Sequence, residues 1–205
     1  MADRRHGAAP PPTTSEVGHE DWTGRDISAQ NHERVAFIDV NLTDVVNAGA
    51  TFDECTFRSC TFAASSHTDA AFVNCTFTVC TFTDAQFIGC KLVGSMFDRC
   101  TFGPLTVTGG DWSFVGLPGA DLREARISGV RMREVDLIGA RGQGATLSRC
   151  DLSGSWLHSA DLSRADLRGS DLSSVDPRTT ELHEAVIEAE QAITLARALG
   201  FIVRT

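Results

Sequence analysis

Tyrosine is absent from the 205 residues, although phenylalanine occurs 12 times, so no site can rest on a phenol. Basic residues are in deficit: 18 Lys and Arg against 27 Asp and Glu give a net charge of −9 and a pI near 5.0. Such a balance disfavours direct binding to DNA, RNA or acidic membranes, whose phosphates repel it. No apolar run approaches the roughly 20 residues that cross a bilayer. Arg4 and Arg5 are not followed by an apolar stretch, so the start does not read as a secretory signal. These absences favour a cytoplasmic protein with no membrane contact. The leader, with Pro10, Pro11 and Pro12 beside Ala, Thr and Ser, reads as mobile over 1–20.

What is present is a beat of five. CTFRSCTF at 55–62, CTFTVCTF at 75–82 and ADLSRADLRGSDLSS at 160–174 each place one bulky apolar residue at every fifth position. Stepping by five from Trp22 to Leu172 gives 31 positions, called centres below, and 27 of them are Phe, Leu, Ile, Val, Met or Trp. The exceptions are His32, Asn47, His67 and Gly142. Two residues before each centre stands a small one, Ala, Cys, Ser, Val or Gly, with Leu105 the departure between Val35 and Ser170.

This period excludes both regular elements. Five residues turn an α-helix by about 500°, which scatters the centres around it. On a straight strand, alternate centres would face water, because side chains alternate with period two. The pattern works if each unit of five is a short extended edge followed by a right-angled bend. Centre and minus-two residue then share the inner side, and four edges close a coil of 20 residues. Coils stacked about 4.8 Å apart make a solenoid with a filled core. The expected fold class is an all-β solenoid over 21–176, followed by a cap at 177–205.

The seven cysteines, 55, 60, 75, 80, 90, 100 and 150, all occupy minus-two positions. They form no CxxC pair with a nearby His at ligand spacing, so they read as small, reduced core residues, Cys60, Cys80 and Cys100 in one column and Cys55 and Cys75 in another. No Ser/His/Asp or Cys/His arrangement carries a supporting motif, and GARGQG at 139–144 lacks the Lys-Ser/Thr of a phosphate loop. A filled column leaves no cleft, so neither an enzyme nor a cofactor or metal site is expected.

The residue before each centre faces out, and it is often Asp. Two readings compete. The carboxylates bond nearby backbone at the bends, or they form an acidic surface that imitates phosphates. Arg interleaves with Asp along Asp121, Arg141, Asp161 and along Asp111, Arg131, Asp151, Asp171. The net charge is −5 over 35–119 and −1 over 120–176. Candidates for an acidic partner-binding surface are Asp44, Asp84, Asp111, Asp121, Glu124, Asp151, Asp161 and Asp171. After Asp176-Pro177 the beat resumes at Leu182 and Ile187. EAEQAITLARALG then predicts a helix with Ala189, Ala192, Ile193, Ala196 and Leu199 on one face, and Phe201–Val203 a short strand. GPLTV at 103–107 predicts a local distortion, with Pro104 at a bend.

A(D/N)Lxx units with a small residue two before the Leu or Phe resemble the pentapeptide-repeat family. That resemblance implies a right-handed quadrilateral β-helix. TGRD at 23–26, GPLTV at the switch from Phe to Leu coils, ADLRGSDLSSVDP at 165–177 and EQAITLARALGF at 190–201 are similar to the fluoroquinolone-resistance branch, the MfpA type and more distantly Qnr. The resemblance implies a homodimer joined through Leu182, Ile187, Ile193, Leu199 and Phe201, with DNA gyrase as partner, bound by imitation of duplex DNA. A structural scaffold with another protein partner is the alternative.

Overall fold

The computed structural model describes residues 10–204. The chain winds into a four-sided column in which residue i pairs, in parallel, with residue i+20. Phe37 lies against Phe57, Phe57 against Phe77, and Phe77 against Phe97. The same spacing registers Phe52 with Phe72, and the Phe72 N–H donates to the Lys91 carbonyl, placing Leu92 in the same line. Sheets run down three sides; the fourth is held by single bridges from Asp21 to Thr101 and from Asp121 to Glu181. We number the walls by their rungs: wall 1 holds 21–24, 41–44 and so on, wall 2 starts at 26–29, wall 3 at 31–34 and wall 4 at 16–19. Walls 1 and 3 are opposite, as are 2 and 4.

Centres and minus-two residues point inward, as the period of five requires. Phe37, Phe52, Phe57, Phe62, Phe72, Phe77 and Phe82 are fully buried. Within a wall their rings stack at 4.7–4.9 Å, and between walls they meet edge to face. Stacking like on like keeps every level equally full, which close packing demands. Gly142, the glycine among the centres, leaves no hole: Leu162 from the next coil lies 2.8 Å from where its Cβ would be. Gly110, in a minus-two slot at φ +89°, would drive a Cβ into the Cys90 carbonyl oxygen.

Most right-angled bends are made by a left-handed residue two after the centre. Asp44 (φ 57°), Asp84 (φ 59°) and even Val79 (φ 57°) adopt it. This conformation costs a non-glycine residue about 1–2 kcal/mol, and the stacked ladder sustains it.

His67 and Asn47 turn inward and form a closed chain of hydrogen bonds. The Asn47 amide donates to His67 Nδ1 (3.1 Å), His67 Nε2 donates to Ser65 Oγ (3.0 Å), and Ser65 donates to the Phe62 carbonyl (2.7 Å). The Ala50 N–H satisfies Asn47 Oδ1. Burial pushes His67 down to about 3, so it is neutral.

Three boundaries differ from the sequence expectation. The winding starts before Asp21: Ser15–Gly18 pairs with Val35–Ile38, because Ser15-Glu16-Val17 already has the small-x-bulky spacing. Residues 1–9 of the expected leader lie outside the described residues. Phe201–Val203 is not a strand, because the helix covers the last coil and leaves it no edge to join. The helix, Ala189–Ala198, docks through Gln191 and Leu195 rather than through the Ala189, Ala192, Ile193 face. Buried Gln191 donates to the Leu167 and Ser170 carbonyls, both at 2.7 Å, and accepts from the Glu188 N–H, while Arg178 caps the Ala198 and Leu199 carbonyls at 2.8 Å. Gly200 follows at φ +92°, as a residue past a helix end should.

Candidate functional site

The eight candidate carboxylates separate onto opposite walls. Asp44, Asp84, Asp121, Glu124 and Asp161 lie on wall 1; Asp111, Asp151 and Asp171 lie on wall 3. The geometry dictates the split, since ten residues are half a coil.

The Asp residues that precede centres do work at their own bends. Asp111, Asp121, Asp151, Asp161 and Asp171 each accept the backbone N–H two residues on, at 2.8–3.4 Å. Several also meet arginine. Arg131 reaches Asp111 at 3.1 Å and Arg133 reaches Asp151 at 2.6 Å on wall 3, while Arg123 (2.7 Å) and Arg141 (3.0 Å) converge on Asp121 on wall 1. The Arg123 side chain holds the Asp121 carboxyl below the usual range. For Asp111, partial burial pushes upward, but the Ser113 hydroxyl and N–H together with Arg131 outweigh it. The Ser163 N–H and hydroxyl lower Asp161, which also accepts from the Gln143 amide at 2.6 Å.

Asp44, Asp84 and Glu124 are different. They sit along one corner edge of wall 1, two coils apart, and make no ion pair or side-chain hydrogen bond among the described residues. With Asp161 they are four carboxylates on one side of the column that form no salt bridge among the described residues, although Arg123 acts on Glu124 and Arg164 on Asp161 at longer range. Wall 1 as a whole, from 21–24 to 181–184, carries eight carboxylates (Asp21, Asp44, Asp84, Asp121, Glu124, Asp161, Glu181, Glu184) against Arg123, Arg141 and Arg164. Wall 2, from 26–29 to 166–169, balances Asp26, Asp69 and Asp166 with Arg126, Arg149 and Arg168. The division of charge between the Phe and Leu halves, read from sequence, is thus less informative than the division between walls.

Wall 4 presents another surface. Ile138 and Trp156 are 41% and 46% exposed there, near Pro118, and Asp136 is buried with its carboxylate on the Ile138 N–H. At the C-terminal end, Leu182 and Ile187 pack against their own column and Ile193 is half-buried, whereas Val186, Leu199, Phe201 and Ile202 are exposed. Among the described residues no group of His, Cys, Asp or Glu is arranged to hold a metal, and no helix is long and apolar enough to cross a membrane.

Residues 117–187 match the family model for pentapeptide repeats, in overlapping segments 117–154, 143–173 and 160–187. This stretch of the column is built of pentapeptide repeats. The Phe-rich part, 23–102, matches the model of the SV2A/B/C luminal domain. No curated protein matches the sequence. Among solved structures, the chain is similar to HetL, a pentapeptide repeat protein involved in heterocyst differentiation regulation from the cyanobacterium Nostoc sp. strain PCC 7120. The TM-score is 0.63, with 22% identity over 86% of both chains. It is also similar to a trypsin-treated variant of QnrB1, a plasmid-mediated fluoroquinolone resistance protein, with a TM-score of 0.50 and 18% identity over 94% of this chain and 97% of that one. At these identities the likeness is one of fold.

Proposed function

We propose that the protein is a non-enzymatic, DNA-mimicking repeat protein that binds DNA gyrase through wall 1, modulates supercoiling and confers resistance to quinolones or other gyrase inhibitors. The observation that carries this reading is the excess of acid on wall 1, eight carboxylates against three arginines, with Asp44, Asp84, Glu124 and Asp161 outside any salt bridge among the described residues. The resistance role named for QnrB1, which shares the fold, supports it. Two columns of roughly seven coils, end to end, span about 70 Å at 4.8 Å per coil, the length of about 20 base pairs. Such a dimer carries about −18, twice the −9 of one chain, against roughly −40 for that duplex. Shape must therefore contribute much of the recognition. The exposed Val186, Leu199, Phe201 and Ile202 supply the twofold contact that joins the columns.

The test is a gyrase supercoiling assay, with and without quinolone. Wild type inhibits supercoiling or relieves quinolone inhibition at micromolar concentration, and a triple variant Asp44→Asn, Asp84→Asn, Glu124→Gln loses most of that effect while remaining folded. No effect of folded, dimeric wild type over that range removes the proposal.

A scaffold reading is favoured by a different observation, the exposed apolar pair Ile138 and Trp156 on wall 4, and by the regulatory role named for HetL. It expects binding to a protein partner that survives neutralisation of wall 1 and is lost on Ile138→Ser with Trp156→Ser.

A further inference from the structure

Six of the seven thiols are closed off and one is not. Cys55, Cys60, Cys75, Cys80, Cys90 and Cys150 are at most 2% exposed, whereas Cys100 reaches the surface. The cause is a break in the ladder of wall 1. Elsewhere on this wall each centre N–H donates to the next coil: Phe62 to Thr81, Phe82 to Thr101 and Leu122 to Arg141, all at 2.7 Å. Each residue before a centre donates to the coil beneath, as Thr101 does to Cys80 at 2.9 Å and Arg141 to Ala120 at 2.8 Å. Among the described residues no such bond joins Phe102 to Asp121, Asp121 to Cys100, or Arg99 to Pro118.

Sequence explains the break. Pro104 has no N–H to give, and Gly103 takes the left-handed conformation one position earlier than other bends (φ 54°). Asp84 consequently donates to the Pro104 carbonyl, where its counterparts use the residue after the centre. The Phe82–Phe102 ring spacing widens to 5.7 Å from the 4.9 Å of Phe62–Phe82. The opening is a cavity of about 340 Å³ lined by Cys100, Phe102, Gly103, Arg123, Glu124 and Arg141, among others. Cys100 stands at its floor, with Cys80 directly beneath in register and Cys60 beneath that. The thiols of Cys80 and Cys100 point the same way, each 3.5 Å from the carbonyl of the centre 23 residues earlier.

We propose that Cys100 is a thiol-modification site, the one sulfur of the folded column that reacts with small electrophiles, hydroperoxides in particular, and that Cys80 is its positioning neighbour. The Cys80 S–H lies against the Phe57 carbonyl and turns to the Cys100 sulfur once that is a thiolate, a coupling that lowers Cys100 below the ordinary cysteine value and raises Cys80. A lowered, accessible thiol is the reactive kind; buried thiols are inert. The Cys100 thiolate attacks one peroxide oxygen. An S–O bond forms as the O–O bond breaks, the alkoxide leaves and takes up a proton as the alcohol, and the sulfur is oxidised to a sulfenic acid by two electrons while the peroxide is reduced. Arg123 and Arg141 at the mouth are held by Asp121, which lines it with Glu124, and Asp98 opposes the anionic sulfur, so the lowering comes from Cys80.

The test treats the full-length folded protein with iodoacetamide, and separately with tert-butyl hydroperoxide followed by a sulfenic-acid trap, and locates adducts by peptide mass spectrometry. The expected result is one adduct, at Cys100, formed at least about tenfold faster than at any other cysteine. Cys100→Ser, a residue that Ser95 and Ser170 show to fit this slot, abolishes it. Cys80→Ala raises the pH midpoint of alkylation, and Cys80→Ser, which keeps a donor, restores it. Adducts spread over several cysteines, or none until the protein is unfolded by urea, overturn the site. An unchanged midpoint in Cys80→Ala overturns the role of Cys80.

Discussion

At the residue scale, the repeat sets what each position tolerates. Phe77 contacts stacked rings above and below and edges from both sides, so Phe77→Ala is expected to cost about 3–5 kcal/mol in urea denaturation. Val79 holds a left-handed bend with a β-branched side chain that is 48% exposed, and Val79→Gly is expected to stabilise by about 1 kcal/mol in the same experiment. His67 makes the column pH-sensitive. Its folded value, about 3, lies below the ordinary 6.5, so the unfolded chain takes up a proton that the folded chain refuses. The stabilisation is fully present above pH 6.5 and is lost as pH falls towards 3, with about 2 kcal/mol gone between pH 6.5 and 4.5. Denaturation at several pH values checks this, and Asn47→Leu with His67→Phe, which removes both ends of the polar pair, is expected to flatten that window. Burial at these two centres was legible from register, but their mutual bonding was not. It depends on Ser65 and Asn47 having the right donors one coil apart, which a count of apolar centres does not register.

At the element scale, the edges and the C-terminal helix were legible, and the face by which the helix docks was not. A small residue two before a bulky one fixes an inward pair whatever the surroundings, so the coils follow from spacing alone. The helix faces a different problem, because both of its faces are only weakly apolar. Its docking side is chosen by hydrogen bonds: the last coil has carbonyls at Leu167 and Ser170 with no further coil to pair with, and Gln191 is the side chain that reaches them. Polar satisfaction outranks the Ala and Ile stripe here. Gln191→Ala is expected to cost about 1–3 kcal/mol, because it strands the buried Ser170 carbonyl and leaves Leu167 with the Ser170 N–H alone, and to raise amide exchange across Ala189–Ala198 before the coils themselves open.

At the scale of the whole molecule, the candidate carboxylates show what a linear reading leaves out. Asp111 and Asp121 look adjacent in a list and face opposite directions in space, because ten residues carry the chain halfway round. Sorting by twenties assigns each acid to a wall, and only then does one side emerge as acidic and another as neutral. The opened rung was legible as Pro104 in the wrong place, yet its depth depends on three missing backbone bonds that no single residue announces. That gap also has a mechanical meaning. Walls 2 and 3 keep their ladders beside it, through Thr106 to Ala85, Arg126 to Leu105 and Asp111 to Cys90, so the shaft cannot part there. It can flex. Curvature that spreads the acidic side strains side-chain contacts alone at this level, whereas curvature the other way must break peptide bonding. Among the described residues the column thus carries a compliant joint at this level, on the side that the proposed partner would have to follow.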